Sequence, residues 1–329
     1  MAQSAAEVPV HNHQRKFALI NGGVVDHAGK VAVTPIANFD LERTIFNTLE
    51  GALPRFVIRT RIAKEVQWHA EPAGDVERRY EALAAERPLP EVDPALLRFL
   101  VEECDFDVEH ADGSFLDHLY FCYEYTHLYY PEASALVMLL HSILGTGTNT
   151  FAMTAEKMPA LQALMSESEW VHVQAFPSVL RLLYDLPLRR ELWGNIDRLD
   201  ALSGITMHRV IDNAPMELSA EELWVQLNYQ LIHLADFLPA ANWQTHANDT
   251  AFIIFRDLFD LLNRSGKLST KLAYTPGAGQ AGTTGETSGL GGKLVSLIPT
   301  TLSEKMAAKS VRRFSEQIGH SVAYELRWS

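Results

Sequence analysis

Cysteine is scarce in this sequence, and long apolar runs are missing altogether. Cys104 and Cys122 are the only two cysteines among 329 residues, too few for a disulfide framework. Their apolar, helix-like surroundings predict reduced thiols in the core. No apolar run approaches the roughly 20 residues of a membrane span. The N-terminal stretch lacks the hydrophobic segment of a secretory signal, so we expect a cytoplasmic protein.

Basic residues are also in short supply. Lys and Arg total 28 against 41 Asp and Glu, which gives a net charge of −13 with neutral histidine. This balance argues against nucleic acid and anionic membranes as partners, because both are bound by basic surfaces. It leaves room for a small-molecule substrate, even an anionic one, since such a ligand needs only a local positive site. The charge does not define an oligomeric state.

Strand signals are confined to residues 16–36, where β-branched and turn residues predict at most a short N-terminal β-hairpin. From residue 38 onward the pattern is helical, so the predicted fold class is mostly α. We predict an N-terminal arm with the hairpin over residues 1–37, helices over 38–97, a helical core over 98–240 and C-terminal helices over 241–329. Together they form one compact domain.

Apolar periodicity and helix caps predict the individual helices. They span residues 40–53, 56–68, 76–85, 155–165, 169–184 (kinked or broken at Pro177), 188–203, 219–238, 249–263 and 303–318. Asp93 followed by Pro94 predicts a capped helix start, and Ser219 with Glu222 matches a capping box. Residues 275–292 are rich in Gly and Thr and predict a long loop, either disordered or a mobile lid.

Two glycine patterns in that loop resemble nucleotide-binding motifs without their context. Gly277, Gly279 and Gly282 match G-x-G-x-x-G, but no strand precedes them and no helix follows. Lys293 follows a glycine as in a P-loop, but Leu294 stands where Ser or Thr is required. The sequence therefore predicts no phosphate-binding loop.

The strongest chemical signal is a pair of histidines, His118 and His141, on two apolar segments. Pro131 breaks the pattern between them, which predicts an antiparallel helix pair. Such a pair brings both imidazoles to one metal ion, with nitrogens about 3–4 Å apart for metal–nitrogen bonds of about 2.0–2.1 Å. Imidazole ligands favour zinc, iron, nickel or copper over magnesium.

The sequence around this pair resembles the HD superfamily of metal-dependent helical enzymes. GSFLDHL and LLHSILGT are similar to the family's pattern of one histidine, an apolar helix ending in His-Asp, and a glycine-containing loop. Ser142 replaces the aspartate, as in an uncharacterised branch, and a hydroxyl is a poorer ligand than a carboxylate. The resemblance covers roughly residues 98–240 and implies an HD-like helical bundle with added N- and C-terminal helices.

The resemblance also implies further metal ligands beside the histidine pair. His110 has a counterpart in the His-Ser branch, and a late helix of the fold would bring in His233 or His172. The final aspartate of HD-type sites is best matched by Asp185, at the end of an apolar helix.

Three functions are compatible with these residues. The first is an iron-dependent oxidoreductase that resembles the HD-type oxygenases and acts on a small molecule in an all-helical pocket. The second is a metal-dependent phosphohydrolase. The third is a non-catalytic binding protein on a degenerate HD scaffold, which Ser142 favours. The expected cofactor is a divalent transition metal, with iron preferred.

Overall fold

The computed structural model describes residues 10–23, 30–35, 52–53, 55–57, 64–68, 70–104, 113–147, 151–237, 248–273, 290, 294–295 and 297–329. The fold is mostly α, as predicted. The main helices are α1 (Val10–Ile20), α2 (Ala70–Glu86), α3 (Pro94–Cys104), α4 (Gly113–Tyr129), α5 (Ala135–Leu140), α6 (Met158–Gln162), α7 (Glu167–Asp185), α8 (Pro187–Gly194), α9 (Ala220–Phe237), α10 (Thr250–Arg264) and α11 (Thr300–Gln317). The strands are β1 (Lys30–Pro35), β2 (Lys64–Trp68), β3 (Leu202–His208), β4 (Pro215–Ser219) and β5 (Glu325–Trp328).

The first of two compact units comprises Met1–Leu89, Leu234–Ile253 and Lys271–Ser303. A buried ion pair within it joins Arg15 on α1 to Asp236 on α9. Two parallel contacts form it, Nε–Oδ1 at 2.6 Å and Nη2–Oδ2 at 2.8 Å. Because the planar guanidinium matches the carboxylate, this two-pronged pair fixes the orientation of both side chains.

Two N-terminal predictions are wrong. Helix α1 occupies the start of the predicted hairpin, and β1 pairs antiparallel with β2 instead of within residues 16–36. Strand β2 in turn takes the end of the helix predicted over residues 56–68. The alternation of Val66 and Trp68 with polar residues suits a strand, but nothing in the sequence identifies β1 as its distant partner. The helix predicted over residues 40–53 lies almost wholly outside the described residues.

The second unit comprises Pro90–His233, Ile254–Thr270 and Glu304–Ser329. It contains a three-stranded antiparallel sheet in the order β4-β3-β5. The expectation of no strands beyond an N-terminal hairpin is therefore wrong. The central strand β3 pairs with its second neighbour, β5, only after α9, α10 and α11 along the chain, so the sequence shows no hairpin pattern for that pair.

The predicted helix starts are confirmed where caps mark them. At α3, the Asp93 Oδ1 accepts a hydrogen bond from the Ala95 amide at 2.7 Å. At α9, the Ser219 amide donates to Glu222 Oε2 at 2.7 Å, and the Glu222 amide donates to Ser219 Oγ at 3.2 Å. These reciprocal bonds form the capping box and satisfy amides that the helix itself leaves unpaired.

Helix ends also follow the sequence, with one exception. Gly266 and Gly319 lie just beyond α10 and α11, both at φ +70°, where a residue without Cβ carries no strain. Helix α7, by contrast, continues unbroken through Pro177, where a kink or break was predicted. Nearly all of its side chains from Trp170 onward are buried, so packing outweighs the roughly 3 kcal/mol cost of an internal proline.

Two further expectations concern long segments. None of the helices in the described part of the chain is both long enough and apolar enough to cross a membrane. The glycine-rich loop predicted over residues 275–292 lies outside the described residues, apart from Leu290.

Candidate metal centre

The predicted helix pair around His118 and His141 is present. Helix α4 carries His118, a short link follows, and α5 ends immediately before His141. Both side chains are buried, with exposed fractions of 4% and 0%. Helix α5 has only six residues, too few for intrinsic stability, so the burial of Val137–Leu140 holds it in place.

The tautomer of His141 follows from its hydrogen bond. Its Nδ1 lies 2.7 Å from the carbonyl oxygen of Met138. Because a carbonyl oxygen only accepts, Nδ1 must carry the proton. The neutral ring therefore presents a lone pair at Nε2, which is the form that binds a metal ion.

A third histidine, His233 on α9, completes a triangle with this pair. The His118 Nε2 lies 3.2 Å from the His141 Nε2 and 3.1 Å from the His233 Nδ1. The remaining edge, from the His233 Nδ1 to the His141 Nε2, is also 3.1 Å. Three helical segments thus each direct one ring nitrogen to a common centre. The spacing is close to the roughly 3.3 Å that tetrahedral geometry gives for metal–nitrogen bonds of about 2.05 Å.

Hydrogen bonds alone do not account for this triangle. The His141 Nε2 carries a lone pair, while the His118 Nε2 and His233 Nδ1 each carry either a proton or a lone pair. In every combination at least one pair of neighbouring nitrogens has either two lone pairs or two N–H groups pointing at each other, and such groups repel. A cation that accepts all three lone pairs removes this repulsion. The donor set therefore fits a metal ion better than a hydrogen-bond network.

Cys122 joins the three histidines in a buried group whose ligand atoms lie within 4.8 Å of one another. It follows His118 by one helical turn, and its Sγ lies 3.8 Å from the His118 Nδ1, the ring nitrogen outside the triangle. Sequence reasoning missed this residue by assigning it to the core. The i, i+4 spacing from His118 on one helix is the signal that could have identified it.

Phe176 packs against the triangle, and two glutamines precede His233 on α9. The Phe176 ring on α7 packs against His141 and His233, with centroids 4.6 and 5.3 Å away. On α9, Gln226 and Gln230 lie seven and three residues before His233, on the same helical face. Their amide nitrogens donate to backbone carbonyls of α7, whereas both Oε1 atoms are buried with no hydrogen-bond partner in the described structure. Such acceptors call for a donor from a ligand or water.

The other predicted ligands do not join this group. The prediction of Asp185 as a metal ligand is wrong, because its carboxylate forms an ion pair with Arg312 instead. Burial raises the pKa of Asp185 despite that arginine. No Asp or Glu of the described residues belongs to the histidine cluster. His172 is also elsewhere: its Nδ1 lies 3.1 Å from the Gln226 amide nitrogen. His110 lies outside the described residues.

Two buried histidines outside the cluster predict an acid-sensitive fold. Burial lowers the pKa of both His172 and His320 from 6.5 to about 4. The unfolded chain then binds protons that the folded chain does not, so the free energy of unfolding should fall as pH drops from 6.5 to about 4. Each histidine contributes at most about 1.4 kcal/mol per pH unit. Urea denaturation at a series of pH values should show that the unfolding free energy depends less steeply on pH in His172→Gln than in the wild type. An equally steep dependence in both proteins would contradict the assignment.

Comparison with known proteins returns no relative. The chain matches no family model, no curated protein and no solved structure.

Proposed function

We propose that this protein is a metal-dependent oxidoreductase of the oxygenase type, in which His118, His141 and His233 hold one iron ion beside a small-molecule substrate. The triangle of ring nitrogens carries the proposal, because one shared cation would satisfy all three lone pairs. Three nitrogen ligands from the described residues would leave further coordination positions open, which is typical of catalytic sites, whereas structural sites are closed by four.

The donor set supports the class of metal. Imidazoles suit iron, zinc, copper and nickel, and the cluster includes no carboxylate from the described residues, which magnesium or manganese would favour. This counts against a magnesium-dependent phosphohydrolase. Iron is preferred because the histidine pair resembles the HD-type oxygenases. As long as the ligands are the three neutral imidazoles of the described residues, a divalent ion's charge would be unbalanced, which favours an anionic group of the substrate as a further ligand.

The chain's own residues supply positioning and shielding. Bound iron would supply the activation of dioxygen beside the substrate. His141 is held in its metal-binding tautomer by the Met138 carbonyl. Phe176 covers two of the imidazoles and keeps water from them. The unsatisfied Oε1 of Gln230, one turn from His233, is suited to accept a hydrogen bond from a hydroxyl or amino group of the substrate.

A structural metal site is the second candidate, and Cys122 is the observation that favours it. A thiolate would balance part of the ion's charge and close a four-ligand site without catalysis. Metal-bound nitrogen and sulfur should be about 3.6 Å apart for bonds of about 2.05 and 2.3 Å, so the present separations of up to 4.8 Å favour an open site.

Elemental analysis of the purified protein and of Cys122→Ser separates these functions. We expect about one equivalent of iron in both proteins, since the three nitrogens suffice. Cys104→Ser is the matched control: its thiol is also buried, and burial raises its pKa to about 11, which keeps it protonated. Loss of metal from Cys122→Ser alone would establish the closed structural site. Zinc in place of iron would favour a metal-dependent hydrolase. If none of the proteins contains metal, a non-catalytic binding protein is the remaining function.

A further inference from the structure

A basic cleft lies on the second unit and shares no residue with the histidine cluster. Its volume is about 550 Å³, within the range of small-molecule pockets, and it is formed by the start of α8 and one face of α11. Five basic side chains line it, namely Arg190, Lys305, Lys309, Arg312 and Arg313. Two acidic residues, Asp185 and Glu316, accompany them among the described lining residues.

This concentration of positive charge runs against the rest of the molecule. The whole chain carries a net charge of −13. On α11, however, Lys305, Lys309 and Arg313 follow one another at four-residue intervals, so their like charges lie along one helical face. Such spacing destabilises a helix by a few tenths of a kcal/mol per pair. An anion in the cleft would offset this repulsion.

Three of the five cations are available to a ligand. Asp185 is already bound by Arg312, so it neutralises none of the others. Arg190, Lys305 and Lys309 are exposed and make no ion pair within the described part of the chain.

We propose that this cleft binds a small polyanion with two or more phosphate groups. The described lining residues carry five positive and two negative charges, a net +3, whereas a single phosphate group brings only about −1.5 to −2. A ligand with linked phosphates would reach several of these cations at once through charge-assisted hydrogen bonds. The acidic remainder of the surface would repel a long nucleic acid, which favours a small ligand.

Calorimetric titration of the full-length protein with inorganic pyrophosphate tests the proposal, with orthophosphate as the single-phosphate comparison. We expect pyrophosphate to bind at least about tenfold more tightly than orthophosphate, with an affinity that falls as salt is added. Lys309→Glu should weaken pyrophosphate binding by about tenfold or more. Arg98→Glu is the matched control, since Arg98 is exposed on α3, outside the cleft, and undergoes the same charge change.

The remaining outcomes would overturn the proposal. If Lys309→Glu and Arg98→Glu weaken pyrophosphate binding equally, the effect comes from the protein's net charge and not from the cleft. If millimolar pyrophosphate gives no heat of binding, polyphosphates are excluded as ligands of the cleft. Binding of a single-stranded oligonucleotide through Lys309, without pyrophosphate binding, would assign the cleft to nucleic acid. Elemental analysis before and after titration ensures that pyrophosphate has not simply extracted metal, and unchanged circular dichroism shows that each variant is folded.

Discussion

His118→Ala should deprive the protein of stoichiometric transition metal. The substitution removes one of three converging nitrogens, and the two that remain give a much weaker site. We expect the metal affinity to fall by more than about 100-fold, since even loss of an outer partner of a metal ligand typically costs 10–100-fold. Elemental analysis after dialysis against a weak chelator measures this loss.

His127→Ala provides the matched control for that experiment. His127 lies on the same helix, α4, and is outside the buried cluster. This variant should keep its metal. If both variants retain metal equally, the triangle is not the binding site. If both lose it, the loss reflects damage to α4 rather than the removal of a ligand.

Gly204→Ala should strongly destabilise the second unit. A Cβ at this position of β3 would lie 2.5 Å from the Arg327 Nη2 and closer still to the Leu218 carbonyl oxygen. The carbonyl belongs to the neighbouring backbone and has no alternative rotamer, so the strands must separate locally. We expect a loss of about 2–3 kcal/mol in the free energy of unfolding, measured by urea denaturation.

Gly194→Ala is the corresponding control, because a Cβ there has no heavy atom within 4 Å and the residue ends a helix. It should be neutral or slightly stabilising, since alanine has the higher helix propensity. A Gly204→Ala protein as stable as the wild type would mean that β3 and β4 are less closely paired than the structure shows.

Local signals in the sequence sufficed for most of the helices. Caps at Asp93 and Ser219 and glycines after α10 and α11 act within a few residues, so pattern alone finds them. The strands needed partners from remote segments. β5 pairs with β3 across most of the C-terminal half of the chain, and β2 displaced a predicted helix because β1 supplies its hydrogen bonds.

In the candidate site too, local contacts were predictable from the sequence and long-range contacts were not. The sequence located the helix pair of His118 and His141 because both residues belong to one local hairpin. It offered His233 and His172 as alternatives, and only the packing of α9 brings His233 to the pair. Asp185 was assigned wrongly because its actual partner, Arg312, comes from α11, 127 residues later in the sequence. A residue's type and helix position do not reveal which distant charge it will meet.

The sequence separations within the triangle are long enough for a bound ion to stabilise the fold. Its three pairs are 23, 92 and 115 residues apart along the chain. An ion held there would close loops of these lengths and restrict the unfolded ensemble as a covalent cross-link does, an effect on the order of 3–5 kcal/mol for disulfides with loops of this size. Both cysteines are free thiols and form no covalent cross-link, whereas a cross-link through a metal ion would be reversible. Resistance to proteolysis would then depend on metal supply.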